Sequence, residues 1–299
     1  MLTDVNVTHE LGRHLDVRHG DTLLFRYVYV SDAPQVESPR PYFHPLRTLA
    51  GDTVTIFRPH DHLWHHGLSM TFANLSGENF WGGATYVPDR GYAQLDNNGR
   101  IDHEAWDRLD PAGPMEERLA WITQAGERWL EERRTIELVD VDTGCEHWTL
   151  GLGFELRNVS GRPLEFGSPT TAGRPMAGYG GLFWRGPRSF LGGTILAAGG
   201  LEGPDVMGRP AAWLAFVGRH DGSARASTLV LADHPENLRY PNKWFVRTDP
   251  YACASWSFMF DETHTLAPDG CLALRYALIV GSGAWPADLI AERASRAAG

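Results

Sequence analysis

Lysine is almost absent from this sequence. Lys243 is the only lysine, and every other basic side chain among the 27 is an arginine. A GC-rich genome explains the general bias, but it does not explain why one lysine remains inside a dense polar segment. We therefore expect Lys243 to lie at or beside a ligand cleft, where a compact ammonium differs from the planar fork of arginine. Chance survival on an exposed loop is the alternative.

Positive charge, long apolar runs and paired cysteines are also lacking. The net charge of −10 argues against nucleic acid and anionic lipid as partners, because both require a basic surface. No run approaches the ~18 apolar residues of a membrane span. The three cysteines lack CxxC spacing, which excludes a disulfide framework or a zinc ribbon and fits a reducing compartment. With no apolar segment near the start, we expect a cytoplasmic protein.

Helical periodicity is scarce, and short β-branched and aromatic runs dominate. The one predicted helix covers about 285–298, where Pro286 and Asp288 suit a first turn. No linker or repeat divides the chain, so we predict an all-β fold: one large antiparallel β-sandwich over residues 1–299 with a short C-terminal helix. A hairpin is predicted over 45–59, turning at 50–52. Further strands are predicted over 22–30, 134–140, 147–161, 211–218, 227–233, 254–260 and 271–281.

Four of the thirteen histidines lie in the segment RPHDHLWHHG, residues 58–67. His60 and His62 would share one face of a strand, and with His66 they form a candidate metal set, since imidazole binds zinc, copper and iron. The alternatives are proton transfer or substrate hydrogen bonding by His62, His65 and His66, because histidine titrates near neutrality, or a polar loop with no site.

The predicted hairpin places a second polar segment beside this cluster. His44 and Arg47 lie in RPYFHPLRTLAG, and the hairpin returns the chain to His60 and His62. Pairing of its strands would bring His44 and Arg47 close to the cluster, so we expect His44 to line the same cavity.

Three further segments combine aromatic rings with polar groups. ENFWGG contains Glu78 and Trp81, and TAGRPMAGYGGLFWRGP contains Arg174. A loop after the strand at 227–233 contributes further polar and aromatic side chains, namely His234, Lys243, Trp244 and Arg247. Aromatic rings that stack on a sugar ring, with polar groups that bind its hydroxyls, would explain this pattern; burial in the core is the alternative for the tryptophans. No G-x-S-x-G elbow and no dinucleotide fingerprint is present.

The order of RPYFHPLRTLAG, DHLWHHGL, ENFWG and a later DHP…W…R segment resembles the DUF6807 family, over about residues 22–283. Members often carry the label PmoA, after a membrane subunit of methane oxygenase, which does not suit a chain without a membrane span. The family is similar to the galactose mutarotase-like supersandwich, whose members bind or act on carbohydrates. The resemblance implies that several side chains gather near one concave sheet face: His44, His62, His65, His66, Arg174, His234, Trp244 and Arg247.

The leading hypothesis is a cytosolic enzyme that acts on a small sugar or sugar derivative by epimerisation, elimination or hydrolysis. His65 or His66 would be the acid or base with His44 as partner, and Glu78 is a candidate carboxylate partner. Substrate-binding roles go to Arg47, His62, Glu78, Trp81, Arg174, His234, Lys243, Trp244 and Arg247. This hypothesis requires no cofactor. A metal-dependent enzyme using a divalent ion at His60, His62 and His66, and a non-catalytic sugar-binding protein, are the alternatives.

Overall fold

The computed structural model describes residues 4–110 and 113–297, and in these residues the chain forms 22 strands and one α-helix. The helix α1 covers Ala287–Ala297, and three 3₁₀ turns cover Gln35–Glu37, Arg188–Phe190 and Gly203–Val206. In chain order the strands are β1 (Val5–Glu10), β2 (His14–His19), β3 (Thr22–Val28), β4 (Tyr42–Leu46), β5 (Leu68–Thr71), β6 (Asn74–Leu75), β7 (Thr85–Val87), β8 (Gly91–Ala93), β9 (Arg100–Arg108), β10 (Met115–Ile122), β11 (Arg128–Asp142), β12 (His147–Asn158), β13 (Leu164–Gly167), β14 (Gly181–Arg185), β15 (Thr194–Ala197), β16 (Leu201–Glu202), β17 (Trp213–Arg219), β18 (Ala226–Asp233), β19 (Trp244–Arg247), β20 (Cys253–Trp256), β21 (His264–Leu266) and β22 (Cys271–Ser282).

Most strands belong to two large antiparallel sheets. The eight-stranded sheet has the order β1-β2-β3-β4-β5-β14-β20-β19, and the nine-stranded sheet has the order β16-β15-β17-β18-β22-β12-β11-β10-β9. A three-stranded sheet (β21-β13-β6) and the β7-β8 hairpin complete the described strands. The predicted all-β antiparallel sandwich is therefore confirmed.

The main core lies between the two large sheets, where aromatic rings from facing strands meet. Phe25 of β3 stacks on Trp148 of β12 with ring centroids 5.7 Å apart, and Trp256 of β20 lies 5.1 Å from Tyr276 of β22. Such rings bury large apolar areas, and each buried side chain of this size stabilises the fold by about 1.5–3 kcal/mol.

The C-terminal helix covers part of the outer face of the nine-stranded sheet. Its buried residues Ile290 and Ala294 pack against Ala215, Val230 and Ile279. The helix lies within the predicted 285–298, and Ile290 donates its backbone N–H to the carbonyl of Pro286, as expected for a first turn.

The outer face of the eight-stranded sheet carries a second apolar cluster, and strand alternation explains it. On β14 and β19, Trp184 and Trp244 point into the main core, so Phe183 and Phe245 point outward. Cys253 of β20 joins them on the outer face. This face is where loops from elsewhere in the chain come together.

The hairpin predicted over 45–59 forms only at its turn. Arg47 pairs with Thr53 in an isolated antiparallel bridge, and Thr48 donates to the carbonyl of Asp52 at 3.0 Å. The following residues form no named strand, because Ile56 and Arg58 bond instead to Arg185 and His65. In the part of the chain that the structure describes, no helix is long and apolar enough to cross a membrane.

Candidate functional site

A cavity of about 370 Å³ opens on the outer face of the eight-stranded sheet. Its walls are mostly aromatic: Trp64, Trp81, Tyr179, Phe183, Phe245 and Tyr251. The polar side chains that line it are His62, His65, Arg174 and Arg247, together with the phenol of Tyr92. A wider concavity of about 670 Å³ at one end of the sandwich contains no histidine or aromatic ring among its described lining residues. An aromatic cavity with a few convergent polar groups is the usual form of a small-molecule site.

A buried arginine holds the loops that form the cavity wall. Arg40 is 1% exposed, and its guanidinium donates to the carbonyl oxygens of Glu37, Ser38, Trp64 and Trp81 over 2.7–3.1 Å. These four carbonyls belong to three separate chain segments. Burial lowers the pKa of Arg40 to about 9, so the side chain remains a cation at neutral pH. One side chain thereby satisfies carbonyls that would otherwise be buried without partners.

Two glycines of the ENFWGG segment allow Trp64 to pack against the wall. Gly82 has φ +100°, and a Cβ built on it would lie 2.6 Å from both the Trp64 Cβ and the Glu37 carbonyl oxygen. At Gly83, with φ +68°, a Cβ would lie 2.8 Å from the Trp64 ring. Left-handed backbone and close approach both require glycine here.

Asp61 and His62 form a carboxylate–imidazole pair at the edge of the cavity. The Asp61 Oδ2 accepts from Arg185 Nη2 at 2.7 Å and lies 3.0 Å from His62 Nδ1. The hydrogen bonds from Arg185 and His62 hold the pKa of Asp61 well below its usual range despite its partial burial. An ionised carboxylate can only accept, so His62 Nδ1 carries a proton and Nε2 keeps its lone pair. Burial lowers the pKa of His62, which leaves the imidazole neutral at pH 7.

His65 has the opposite tautomer. Its Nδ1 lies 2.7 Å from Arg185 Nη1, and because a guanidinium only donates, Nδ1 must accept. The proton of neutral His65 is therefore on Nε2. Burial, with His62 and Arg185 nearby, holds the pKa of His65 well below its usual value. The two imidazoles stack with their centroids 4.6 Å apart at 13°. Because their tautomers differ, the free nitrogen of His62 is an acceptor and that of His65 is a donor.

Arg185 connects this pair to the sheet. It is 2% exposed and follows Trp184 on β14, so alternation turns it to the outer face. Its guanidinium carbon lies 4.0 Å from the centre of the Tyr251 ring. The structure thus holds Asp61, His62 and His65 from a rigid strand rather than from the loop alone.

Three of the predicted histidines lie outside the cavity. His44 bonds to Thr55 Oγ1 at 2.9 Å, and the ring of Phe57 lies between it and His66. His66 is fully buried, with Nε2 3.0 Å from Glu37 Oε2. His60 is exposed and bonds to Arg188 at 2.6 Å. Burial lowers the pKa values of both His44 and His66 to about 4.

Five predicted binding residues also lie elsewhere. Trp244 is fully buried in the main core, with its indole N–H on the Ala211 carbonyl, because alternation on β19 turns it inward. The other four make contacts outside the cavity. Glu78 accepts from the Gln124 backbone N–H, and His234 accepts from that of Glu236. Lys243 pairs with Asp261 at 2.6 Å on the surface, and Arg47 takes part in the turn described above. Of the predicted residues, His62, His65, Trp81, Arg174 and Arg247 do line the cavity.

The candidate metal set does not converge. His60 faces Arg188, His62 faces Asp61, and His66 is buried against Glu37. Within residues 4–110 and 113–297, no group of three His, Cys, Asp or Glu side chains has the arrangement of a metal site.

The residues that orient the histidines, and much of the aromatic wall, were not predicted from the sequence. Asp61 lies between His60 and His62 in the sequence, and this position could have predicted that it binds one of them. Arg185, Phe183 and Phe245 had a weaker signal, since each neighbours a tryptophan on a strand and so faces the opposite side. Tyr251 and Tyr179 lie in loops, where no periodicity marks the inward face.

Comparisons with known proteins give distant structural likenesses. A kojibiose phosphorylase from the human microbiome is 8% identical with a TM-score of 0.35, over 91% of this chain and 28% of the other. An alpha-galactosidase from Lactobacillus brevis is 9% identical with a TM-score of 0.40, over 95% of this chain and 40% of the other. A GH36 alpha-galactosidase from Geobacillus stearothermophilus, solved with raffinose, is 10% identical with a TM-score of 0.40, over 93% of this chain and 40% of the other.

This chain therefore spans 28% to 40% of the length of those proteins. No curated protein matches the sequence. A family model matches residues 14–295, nearly the whole chain, and its description is that of a family of unknown function. The chain belongs to this family, DUF6807.

Proposed function

We propose that this protein is an enzyme that binds a sugar derivative in the aromatic cavity and acts on it by proton transfer, with His62 as the base. The observation that carries the proposal is the Asp61–His62 pair at the cavity edge. Asp61 fixes the tautomer of His62, so that a neutral imidazole with a lone pair on Nε2 lines the cavity. A base that is oriented by a carboxylate is a recurring arrangement in acid–base catalysis.

The aromatic wall supports a ring-shaped ligand. Trp81 packs with Tyr179 and Phe183, each at a centroid separation of 4.5 Å, which makes a rigid surface. The C–H faces of a sugar ring are apolar and pack on such surfaces, and burying them is favourable in water. The volume of about 370 Å³ is that of a small-molecule site.

His65 supports the reaction as a donor rather than as a base. Its accepting nitrogen is occupied by Arg185, and its Nε2–H can donate to an oxygen that gains negative charge. His66 and His44 have no place in this scheme, because both lie outside the cavity. The assignment of the base therefore moves from His65 or His66 to His62.

The test is turnover of a panel of sugars and sugar derivatives followed by proton NMR in deuterated water. This readout detects exchange of carbon-bound protons, anomer interconversion, elimination and hydrolysis together. We expect the wild type to convert at least one compound and His62→Gln to lose roughly 100-fold or more, the usual size of an acid–base contribution. His19→Gln is the control, because His19 lies on β2 and does not line the cavity. Full activity of His62→Gln would contradict the proposal, and binding without turnover would favour a non-catalytic sugar-binding protein.

A further inference from the structure

We propose that the substrate is a sugar acid whose carboxylate is bound by Arg247 and Arg174. This inference rests on the proposed function of the same cavity and names the chemical class of its ligand. On this inference a uronate or aldonate binds more tightly than the neutral sugar of the same shape.

Arg247 is a cation in the cavity wall without an anionic partner. It lies on the outer face of β19, and among the described residues its guanidinium makes no hydrogen bond and no ion pair. Its guanidinium carbon lies 5.2 Å from the centre of the Phe245 ring. By contrast, Arg185 is paired with Asp61, and Arg58 is bound in bidentate fashion by Glu37. A half-buried guanidinium that faces a cavity with five unused donors is suited to an oxyanion.

Arg174 adds a second positive charge to the same cavity. Its Nη1 donates to the Tyr92 hydroxyl, and its guanidinium carbon lies 4.8 Å from the centre of the Tyr92 ring. A neutral phenol holds the arginine in place but does not neutralise it. Tyr92 in turn bonds to the hydroxyl of Tyr179 at 2.7 Å, which links Arg174 to the aromatic wall.

The cavity is free of acidic side chains although the protein is acidic. The chain has 37 Asp and Glu residues and a net charge of −10, yet none of them, and no Asn, Gln, Ser or Thr, is among the described lining residues. Each hydroxyl of a neutral sugar donates a hydrogen bond and requires an acceptor. Among the side chains of the described lining residues, the acceptors are His62 Nε2 and the phenol oxygens, whereas two arginines and His65 supply donors. A donor-rich wall matches a carboxylate, which accepts at about four lone-pair positions and donates none.

A carboxylate fits this wall better than a phosphate. Arginine binds both groups, but many phosphate sites add backbone N–H groups at helix N-termini or glycine-rich turns. The one described α-helix lies on the other sheet, and Gly82 is the only glycine among the described lining residues. Two guanidinium groups with no such backbone donors beside them suit a planar, singly charged carboxylate.

Calorimetric titration of the whole protein with three sets of compounds tests this inference. The first set is glucuronate, galacturonate and gluconate; the second is glucose and galactose; the third is inorganic phosphate and glucose 6-phosphate. We expect at least one sugar acid to bind tenfold or more tightly than its neutral counterpart, which is about 1.4 kcal/mol. Arg247→Gln should remove that difference, so that the sugar acid binds no more than about threefold more tightly than its neutral counterpart. Arg219→Gln is the matched control, because Arg219 is exposed at the end of β17 and does not line the cavity.

Each other outcome overturns the inference in a distinguishable way. Neutral sugars that bind as tightly as the acids would refute the anionic class but leave the proposed sugar site standing. If phosphate or glucose 6-phosphate binds and the sugar acids do not, the charged group of the ligand is not a carboxylate. If the Arg247→Gln protein keeps the full preference for sugar acids, the carboxylate is bound by other residues. Absence of binding by all three sets would overturn both this inference and the proposed function.

Discussion

Replacing Asp61 by asparagine tests whether the site is organised around a buried charge pair. The change removes the counter-charge of Arg185, whose side chain is 2% exposed, while Asp61 itself is 27% exposed. Breaking a fully buried pair costs about 3–5 kcal/mol, because the remaining charge is left unpaired. Asparagine keeps one accepting oxygen and Asp61 is partly hydrated, so we expect a loss of about 2–3 kcal/mol, below the range for a fully buried pair.

The measurement is urea unfolding at pH 7, with the midpoint compared at an unchanged slope. Asp261→Asn is the matched control, since it removes the same charge from a pair with Lys243 in which both side chains are more than a third exposed. We expect that control to change stability by less than about 1 kcal/mol. Equal, small effects of the two substitutions would refute the role of Asp61 as the counter-charge of the site.

The same variant has a pH signature. The folded-state pKa of Asp61 lies below its unfolded value, so its contribution is fully present above that unfolded value, about pH 4, and is lost as the pH falls toward the folded pKa. The stability gap between the wild type and Asp61→Asn should therefore narrow below about pH 4. A gap that stays constant from pH 7 to pH 3 would contradict an ionic origin.

Two further predictions concern the wall and the base. Gly82→Ala should destabilise the protein by about 2 kcal/mol or more, because the new Cβ meets backbone and Trp64 at 2.6 Å in addition to the strain of a positive φ. Gly77→Ala, at φ +94° with nothing within 4 Å, should cost only about 1 kcal/mol; equal unfolding midpoints for the two variants would refute the packing argument. For turnover, the base form of His62 must be neutral, and burial lowers its pKa, so activity should persist below pH 6.5 and fall only as the pH drops through that lowered value. A pH–rate profile that already falls above pH 6.5 would contradict the assignment of His62.

The sequence indicated the fold well because strands and turns have local signals. Runs of β-branched and aromatic residues between turn residues, at 22–30, 134–140 and 271–281, predicted elements that the structure contains as β3, β11 and β22. The predicted strand at 254–260 ends at Trp256, where Ser257 bonds back to the Lys243 carbonyl and the chain turns. Boundaries of this kind depend on contacts distant in sequence, which no local pattern contains.

The site was only half visible in the sequence for the same reason. The histidine segment was recognisable by composition, but its folding depends on Arg40 and Glu37, about twenty residues earlier, and on Arg185, 120 residues after His65. These partners decide which imidazoles face the cavity and which nitrogen of each is protonated. Trp244 was predicted to bind substrate but is buried in the main core: Trp244, Phe245 and Val246 form an apolar run, so no alternation in the sequence shows which of them faces the core.

Lys243 was expected at the ligand cleft because it is the only lysine, and its position shows that rarity is weak evidence for a functional role. The structure places it in an exposed ion pair with Asp261, away from the cavity lining, which agrees with chance survival on a loop. The cytoplasmic location and the single domain over 1–299 stay predictions.

A crystal structure of the protein with bound galacturonate or glucuronate would test the proposed site most directly. We expect the sugar ring against Trp81 and Tyr179, the carboxylate on Arg247, and a ring carbon or hydroxyl within about 3–3.5 Å of His62 Nε2. A ligand bound in the wider concavity at the end of the sandwich, or in the aromatic cavity with its carboxylate turned away from Arg247 into solvent, would contradict it.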